Sequence, residues 1–180
     1  MKPVVLKGER IILRPLRMSD AKTLVLYVND KKLMKYHMAS TARFSLNDET
    51  KYIKRTMKNW KMGNDLEWAI ELYSKLIGVV FLHHISKKNL SAEFGIWVAR
   101  ENQRKGIGYE SAKLVINFAF KKLKLNRIWY YTYTPNKASK NLARKLGAKY
   151  EGMQKEVAKK GKVFYDGYTY GILRKEWKKR

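Results

Sequence analysis

The sequence predicts one α/β domain over residues 1–180, with helices on both faces of a mixed, mostly antiparallel sheet. A strand, a glycine-containing turn, a helix and a second strand follow one another over residues 92–132, an order that implies a parallel strand pair. Two strand pairs with short connections, at 66–84 and 150–173, are typical of antiparallel hairpins. A hydrophobic content of 45% in 180 residues is sufficient for one packed core, and no segment has the composition of a linker.

The first half of the chain predicts two helices among three strands. Apolar residues at spacings of three and four follow Ser19-Asp20, which offers an N-cap for the first helix. The second helix is expected to begin near Ser45, because Ser45-Leu46-Asn47-Asp48 has the spacing of a capping box, and to end before Gly63. Branched and alternating apolar residues predict strands at 10–14, 66–72 and 76–84.

The second half of the chain contains the parallel unit and a closing hairpin. Apolar spacing predicts helices at about 109–123 and 137–146, and Gly147 is expected to end the second of them. The end of the chain, residues 174–180, is rich in lysine and arginine and is expected to be a frayed tail. Strands are predicted at 92–98, 127–132, 150–157 and 163–173.

The composition excludes several kinds of site. The chain has no cysteine, which rules out disulfides, thiolate metal ligands and a cysteine nucleophile. His83 and His84 are adjacent on a predicted strand and should face opposite ways, while His37 is distant in sequence, so no metal site is expected. No run approaches the roughly 18 apolar residues of a membrane helix, and the first residues lack the apolar core of a signal peptide. A cytoplasmic protein with no membrane partner is therefore expected.

The charge of the chain is strongly unbalanced. It has 40 Lys and Arg against 15 Asp and Glu, a formal net charge of +25. Such a field attracts polyanions such as nucleic acid, the ribosome or the phosphates of a cofactor. It disfavours cationic substrates unless an acidic patch acts locally. A lysine-rich solvated surface without any anionic partner is the alternative interpretation.

The turn Gln103-Arg104-Lys105-Gly106-Ile107-Gly108 carries the clearest chemical signal. It opens a long predicted helix, whose first N–H groups and positive dipole end suit a pyrophosphate. Gly106 and Gly108 lack the Cβ atoms that would block close approach of a ligand, and Arg104 and Lys105 add cationic donors. The turn is neither a dinucleotide fingerprint nor a P-loop, because the third glycine and the Gly-Lys-Ser/Thr ending are missing.

Several motifs in register give a resemblance to a known family. The turn 103–108 resembles the acetyl-CoA signature of the GNAT superfamily, and residues 136–148 resemble that family's later Asn-x-x-Ser helix. The opening residues 8–16 and the closing residues 166–168 and 173–177 resemble the RimJ/RimL-type ribosomal-protein N-acetyltransferases. The resemblance implies a GNAT-like fold with a splayed parallel strand pair, and acetyl-CoA as cosubstrate.

The resemblance also implies a set of cofactor-binding residues. Main-chain groups of Ile96, Trp97 and Val98 would pair with the pantetheine arm in the splayed gap, and one N–H of this strand would bind the thioester carbonyl. Asn136 corresponds to the family's cofactor-side asparagine. The pyrophosphate would be held by backbone amides of Gln103, Arg104, Lys105, Gly106, Ile107, Gly108 and Tyr109.

The reaction that the resemblance implies is direct attack of an amine on the thioester, with a base for the amine proton. Glu93 on the splayed strand is the first candidate base, directly or through water, and Glu67 and Glu71 are the alternatives. Glu93 can equally be read as an exposed or edge-paired carboxylate. Many relatives use a tyrosine of the later helix as the acid, and the helix 137–146 departs from this pattern because it has none. Ser139 lies where this branch places a serine, and the resemblance implies that it hydrogen-bonds the departing sulfur. A first-turn helix residue satisfying a backbone N–H is the alternative for Ser139.

Two classes of function follow. The first is an acetyl-CoA-dependent N-acetyltransferase acting on a protein α-amino group, most simply that of a ribosomal-protein-like acceptor, with a small-molecule amine as the variant. The second is a non-catalytic basic module that binds nucleic acid on a GNAT scaffold. Two glycines and an asparagine at matching positions favour the enzyme. The sequence indicates neither the acceptor nor whether the protein is a monomer or a homodimer.

Overall fold

The computed structural model describes residues 1–36 and 43–177; His37 lies outside these residues. The strands are β1 (Leu6–Lys7), β2 (Ile12–Pro15), β3 (Leu66–Leu72), β4 (Lys75–Ser86), β5 (Ser91–Val98), β6 (Arg127–Tyr133), β7 (Lys149–Lys160) and β8 (Val163–Leu173). The α-helices are α1 (Ala21–Val28), α2 (Leu46–Met62), α3 (Ile107–Lys121), α4 (Lys137–Leu146) and α5 (Arg174–Trp177). Among the helices of these two ranges, none is long and apolar enough to cross a membrane.

The strands form one sheet in the order β1-β2-β3-β4-β5-β6-β8-β7. Every neighbouring pair is antiparallel except β5 and β6, which are parallel and are connected through α3. This arrangement confirms the predicted mixed, mostly antiparallel sheet. The crossover helix is needed because two parallel strands cannot be joined by a tight turn.

The parallel pair separates along its length. β5 and β6 are paired from Ser91↔Arg127 to Phe94↔Tyr130. Beyond this point residues 95–98 of β5 pair only with β4, and residues 131–133 of β6 pair only with β8. The two strands therefore leave a gap, the β5–β6 gap, whose closed end lies at Phe94 and Tyr130. The expected splay of this pair is confirmed.

Helices cover both faces of the sheet. α3 and α4 pack on one face, the α3/α4 face, and α1 and α2 pack on the other, the α1/α2 face. Both faces need a helical layer because the central strands carry apolar side chains on each side. The first core includes Trp68, Phe94, Val115, Ile116, Ile128 and Leu146. The second includes Leu16, Leu24, Ile53, Ala69 and Val79.

The helix ends agree with the sequence in α2 and differ in α1. Ser45 Oγ accepts from the N–H of Asp48 at 3.2 Å, and Asp48 returns the bond to the N–H of Ser45 at 2.8 Å, which confirms the capping box. Asp20 is the N-cap residue of α1, as expected, but its side chain makes no capping hydrogen bond to that helix. The carboxylate of Asp20 instead binds the buried guanidinium of Arg14 through two hydrogen bonds of 2.8 and 2.9 Å.

The C-terminal residues 174–177 differ from the expected frayed tail. They form α5, and Trp177 packs against the α3/α4 core with its ring centroid 6.3 Å from that of Phe120. The indole N–H of Trp177 donates to Oδ1 of Asn117 at 2.8 Å. The composition of this segment predicts a solvated end, but the side chain of Trp177 packs against the core and holds the segment in place. Residues 178–180 lie outside the described residues.

We expect Trp177→Ala to lower the free energy of unfolding by about 2 kcal/mol, because it removes a half-buried aromatic surface and a hydrogen bond. The exposed neighbour Lys175 is the matched control, and Lys175→Ala should change stability by less than about 0.5 kcal/mol. Urea denaturation of both variants checks this. Equal, small losses in the two variants would mean that α5 does not contribute to the fold.

Candidate active site

The turn before α3 forms an uncapped helix N-terminus. Gly106 is the N-cap residue, with a left-handed φ of 83°, and no side chain caps the helix. Arg104 is also left-handed, with φ 59°. The first intrahelical bond runs from Glu110 N–H to Gly106 O at 3.0 Å, so the N–H groups of residues 107–109 precede the helical ladder. These donors and the positive end of a 15-residue helix make an anion-binding surface.

The residues of this turn divide into exposed and buried groups. Gln103, Arg104, Lys105 and Gly106 are exposed, and Tyr109 is 38% exposed. Ile107 is 3% exposed, so its side chain belongs to the core and only its main chain can contact a ligand. A Cβ added at Gly108 would meet only Ile96 Cδ1, at an ordinary 4.0 Å. The packing of the protein therefore leaves open space at Gly108.

Gln103 links the turn to the splayed strand. Its side-chain Nε2 donates to the carbonyl oxygen of Val98 at 2.8 Å. This amide therefore supports the end of β5, a contact that the sequence analysis did not anticipate. The backbone amide of Gln103 donates to Arg100 O at 3.2 Å, so it is less available to a ligand than the amides that follow it.

The main-chain groups of β5 alternate between β4 and the gap. Ala99 N–H donates to Ile77 O of the β4 side at 2.7 Å, and pairing in an antiparallel ladder alternates from residue to residue. The main-chain N–H and C=O of Trp97, which lies opposite Val79, therefore point toward β4. Ile96 and Val98 turn their N–H and C=O groups toward the gap. Of the three predicted strand residues, two present their backbone there, and Trp97 contributes its side chain on the α1/α2 face.

Glu93 lies beside the closed end of the gap, on the α1/α2 face. It shares this face of β5 with Trp97, which packs against the α1/α2 core. Its carboxylate is 23% exposed, and Oε2 lies 3.5 Å from Nε2 of His84. Burial raises the pKa of Glu93 above its ordinary value, while His84 and His83 act in the opposite direction. A partly buried carboxylate with a raised pKa is suited to accept a proton.

The two adjacent histidines lie on the same face of the sheet, so the expectation that they face opposite ways is wrong. His84 has a left-handed φ of 51° within an irregularity of the β4–β5 pairing, and this breaks the alternation of side chains. Nε2 of His83 lies 3.1 Å from Oε1 of Glu67; burial lowers the pKa of His83, but the neighbouring carboxylate outweighs burial and raises that pKa. In the described part of the chain, no three His, Asp or Glu side chains are grouped as metal ligands.

The two alternative bases are already engaged by neighbouring side chains. Glu67 is 4% exposed and accepts a hydrogen bond from the hydroxyl of Tyr52, besides facing His83. Glu71 pairs with the guanidinium of Arg14 at 2.5 Å. Glu71 also borders an open cleft of about 720 Å³ that contains neither Glu93 nor Ser139. Among the described residues, Glu93 is the one of these three carboxylates that accepts no side-chain hydrogen bond, and its nearest charged partner is His84 at 3.5 Å.

Ser139 lies on the opposite side of the sheet from Glu93. The first turn of α4 is capped by Asn136, whose Oδ1 accepts from the N–H of Ser139 at 3.1 Å. The hydroxyl of Ser139 lies 2.5 Å from that of Tyr130, which is 6% exposed and borders the closed end of the gap. The capping function that was the alternative for Ser139 thus belongs to Asn136, and the Ser139 hydroxyl is engaged with Tyr130.

Tyr130 is a site residue that the sequence pattern did not single out, although it lies within the predicted strand 127–132. Burial is the main cause that raises its pKa to about 12, so the phenol stays protonated at neutral pH. A buried phenol with one partner satisfies its donor by donating to that partner. With Tyr130 as the donor to Ser139 Oγ, the O–H of the half-buried Ser139 is left free to donate elsewhere. The alternation of β6, which turns Ile128 and Tyr130 to the α3/α4 face, was the available signal.

A cavity of about 470 Å³ opens beside Glu93 on the α1/α2 face. The charge of Arg127 in its wall is compensated by Glu151, with which it forms a two-point ion pair. The Tyr131 hydroxyl is buried, and burial raises its pKa to about 12. Glu93 thus gives the cavity a local negative character within a basic protein. The lining consists of Glu93, Arg127, Trp129, Tyr131, Gln154, Val157, Ala158 and Thr169.

Comparison with known proteins agrees with this geometry. Residues 10–149 match the acetyltransferase (GNAT) domain family. YdaF of Bacillus subtilis (strain 168), provisionally named a ribosomal N-acetyltransferase, is 26% identical over 176 residues, covering 94% of each chain. The spermidine N(1)-acetyltransferase of Escherichia coli (strain K12) is 26% identical over 140 residues, covering 78% of this chain and 73% of that protein. RimJ of Mycobacterium smegmatis, solved with CoA-disulfide, has a TM-score of 0.90 at 20% identity, covering 98% of this chain and 91% of that one.

A splayed parallel pair, an uncapped glycine turn and a matching domain define the class of protein. The chain belongs to the GNAT acetyltransferase family. It is an N-acetyltransferase with acetyl-CoA as its cosubstrate.

Proposed function

We propose that this N-acetyltransferase acts on the α-amino group of a protein acceptor, which enters on the α1/α2 face beside Glu93. The observation that carries this proposal is the placement of two chemical groups at the closed end of the β5–β6 gap. Glu93 lies on one face of the sheet, and the Tyr130–Ser139 pair lies on the other. An amine can therefore approach from one face while a thiol departs toward the other.

The gap and the turn fit the two parts of the cofactor. The main-chain groups of Ile96 and the N–H of Val98 are available to pair with the pantetheine arm, which acts as an added strand. The carbonyl oxygen of Val98 already accepts from Gln103. The N–H groups of residues 107–109 suit the pyrophosphate, and Arg104 and Lys105 add positive charge. Asn136 supports this region by fixing the start of α4 beside Ser139.

Gly108 supplies a test of this assignment, because the protein itself does not require a glycine there. We expect Gly108→Leu to fold normally, since a helical glycine is replaced by a better helix former. Its affinity for CoA should fall at least about tenfold, because the new side chain occupies the surface where the ligand must approach. Calorimetric titration with CoA measures the affinity, and thermal unfolding of the same variant is the control. Unchanged CoA affinity would contradict the assignment.

Each polar group at the closed end of the gap has a separate task. Acetyl-CoA supplies an activated acetyl group as a thioester. Glu93 removes the proton from the incoming ammonium, directly or through a water, so that a neutral amine attacks. Ser139 donates its free O–H toward the sulfur as negative charge develops there, and Tyr130 holds Ser139 in the orientation that permits this.

The acceptor proposal rests on the relatives and on the surface charge. YdaF is provisionally named a ribosomal enzyme, and a net charge of +25 favours an acceptor that lies in an anionic environment such as the ribosome. A small-molecule amine is the second candidate. It is favoured by the cavity beside Glu93, whose uncompensated charge is negative and whose wall includes the aromatic rings of Trp129 and Tyr131. The hypothesis of a non-catalytic module is not retained, because the chain belongs to an acetyltransferase family.

Release of free CoA from acetyl-CoA, measured against a panel of acceptors, tests the proposal. The panel contains peptides with free N-termini and no lysine, the same peptides with blocked N-termini and one lysine, spermidine, and an aminoglycoside. We expect turnover with the free N-termini and little with the blocked peptides. Turnover confined to spermidine or the aminoglycoside would replace the protein acceptor by a small-molecule amine.

A further inference from the structure

Arg10 binds both sides of the glycine turn. Its Nη1 donates to the carbonyl oxygen of Lys105 at 2.8 Å. Its Nε donates to Oε2 of Glu110 at 2.9 Å, and its backbone N–H donates to Oε1 of the same carboxylate at 2.9 Å. We call this cluster of Arg10, Lys105 and Glu110 the Arg10 clasp. It joins Arg10 to the glycine turn, 95 positions later, and to the first turn of α3, 100 positions later.

Two glycines leave room for the Arg10 clasp. A Cβ added at Gly8 would lie 2.4 Å from Oε1 of Glu110, a distance that the carboxylate could not tolerate in its present position. A Cβ added at Gly106, where φ is 83°, would lie 3.0 Å from Nη2 of Arg10. The segment Gly8-Glu9-Arg10 thus has a structural purpose. Its glycine admits the carboxylate, and its arginine binds that carboxylate.

The clasp controls the direction of a backbone amide in the turn. The peptide bond between Lys105 and Gly106 is planar and trans, so its C=O and N–H point in opposite directions. Because Arg10 holds the carbonyl, the N–H of Gly106 is directed away from Arg10. The turn needs such a restraint, since Arg104 has a left-handed φ of 59° that a non-glycine residue rarely adopts.

Glu110 is well suited to hold Arg10 in place. Burial alone would raise the pKa of Glu110, but the hydrogen bonds and charge of Arg10 outweigh it and lower that pKa. The carboxylate is 14% exposed, whereas the arginine side chain is 49% exposed. Glu110, the less exposed of the two side chains, therefore holds the more exposed side chain of Arg10 in position.

We infer that Arg10 is a positioning residue for CoA binding: it holds the turn 103–106 in the conformation that receives the pyrophosphate. This inference rests on the proposed assignment of that turn to the pyrophosphate. Arg10 acts through Lys105 and Glu110, and not as a phosphate ligand of its own. Removing the side chain of Arg10 or that of Glu110 should therefore weaken CoA binding. Removing both side chains should weaken CoA binding no more than removing that of Arg10 alone.

The test compares CoA with pantetheine, which lacks the pyrophosphate. Arg10→Ala should weaken CoA binding about tenfold and leave pantetheine binding unchanged within about twofold, as followed by NMR titration. Glu110→Ala should also weaken CoA binding, and the double variant should match Arg10→Ala. Lys149→Ala is the matched control, because it removes one positive charge that is paired with Glu176 at a distant site, and it should leave CoA binding unchanged.

Three results would overturn the inference. Equal loss of CoA and pantetheine affinity in Arg10→Ala would mean that Arg10 only stabilises the fold. Unchanged or tighter CoA binding by Glu110→Ala would mean that Arg10 contacts the phosphates directly. Unchanged CoA binding by Arg10→Ala would also refute the inference. In that case, Gly108→Leu shows whether only the role of Arg10 fails or the assignment of the turn to the pyrophosphate fails as well. If Gly108→Leu still weakens CoA binding, the proposed function stands; if it does not, the turn is not the pyrophosphate site.

Discussion

Glu93→Gln is expected to lower kcat about 10²–10⁴-fold with a peptide acceptor, because it removes the group that accepts the amine proton. The amide keeps the size of the side chain and its place on β5, so the affinity for acetyl-CoA should be unchanged. The same substitution at Glu67 serves as the matched comparison, since that carboxylate is engaged by Tyr52 and faces His83. Steady-state kinetics with saturating acetyl-CoA measure both variants. A larger loss in Glu67→Gln than in Glu93→Gln would transfer the role of base to Glu67.

The pH profile gives an independent readout of Glu93. A base acts in its deprotonated form, so kcat/KM should fall as the pH falls through the pKa of Glu93. Burial raises this pKa, so the fall should begin at a higher pH than for an ordinary carboxyl group. The α-amino group of the acceptor also titrates and contributes its own change in kcat/KM with pH. That change should remain in Glu93→Gln, whereas the fall at low pH caused by the carboxylate should disappear. An unchanged profile in the variant would refute the role of Glu93.

Ser139→Ala is expected to lower kcat by about 10–100-fold while leaving KM for acetyl-CoA unchanged. The reason is that its hydrogen bond strengthens only as the sulfur becomes negatively charged, so the interaction belongs to the transition state. Ser139→Thr keeps a hydroxyl and should restore most of the activity. A rise in KM without a change in kcat would mean that Ser139 contributes only to binding.

Tyr130→Phe tests the partner of Ser139. It retains the aromatic ring and removes the phenol that donates to Ser139, so we expect a loss in kcat of about 3–10-fold. In a protein that already carries Ser139→Ala, the Tyr130 phenol has no serine hydroxyl to orient. Adding Tyr130→Phe to that variant should therefore cause no further loss in kcat. Single-turnover measurements of acetyl transfer report this step directly. Additive losses would show that Tyr130 acts independently of Ser139.

The parts of the site that could be predicted from the sequence are those fixed by local geometry. The α3 turn depends on a glycine at a left-handed position, Gly106, and on the helix that begins directly after it. The order of strand, turn, helix and strand specifies the parallel pair, and Gly147 ends α4 with φ 70°. These features involve residues close in sequence, where conformational preferences decide the outcome.

The features that were missed depend on contacts between distant segments. His84 faces Glu93 because the backbone is irregular at this residue, where φ is left-handed. No sequence pattern predicts a left-handed φ at a histidine. α5 is held by the contact of Trp177 with Asn117, 60 residues earlier in the chain. The Arg10 clasp spans 95 residues, and the Tyr130–Ser139 contact depends on how α4 packs on β6. Periodicity describes one element at a time, so it does not report such contacts.

Amide hydrogen exchange at β5, with and without CoA, tests the central claim that the cofactor binds in the β5–β6 gap. The N–H groups of Ile96 and Val98 face the gap, whereas that of Trp97 faces β4 and is the internal control. We expect CoA to slow exchange at Ile96 and Val98 by at least about tenfold and to leave Trp97 nearly unchanged, because only the first two gain hydrogen-bond partners. Unchanged exchange at Ile96 and Val98 in the CoA-saturated protein would contradict the account.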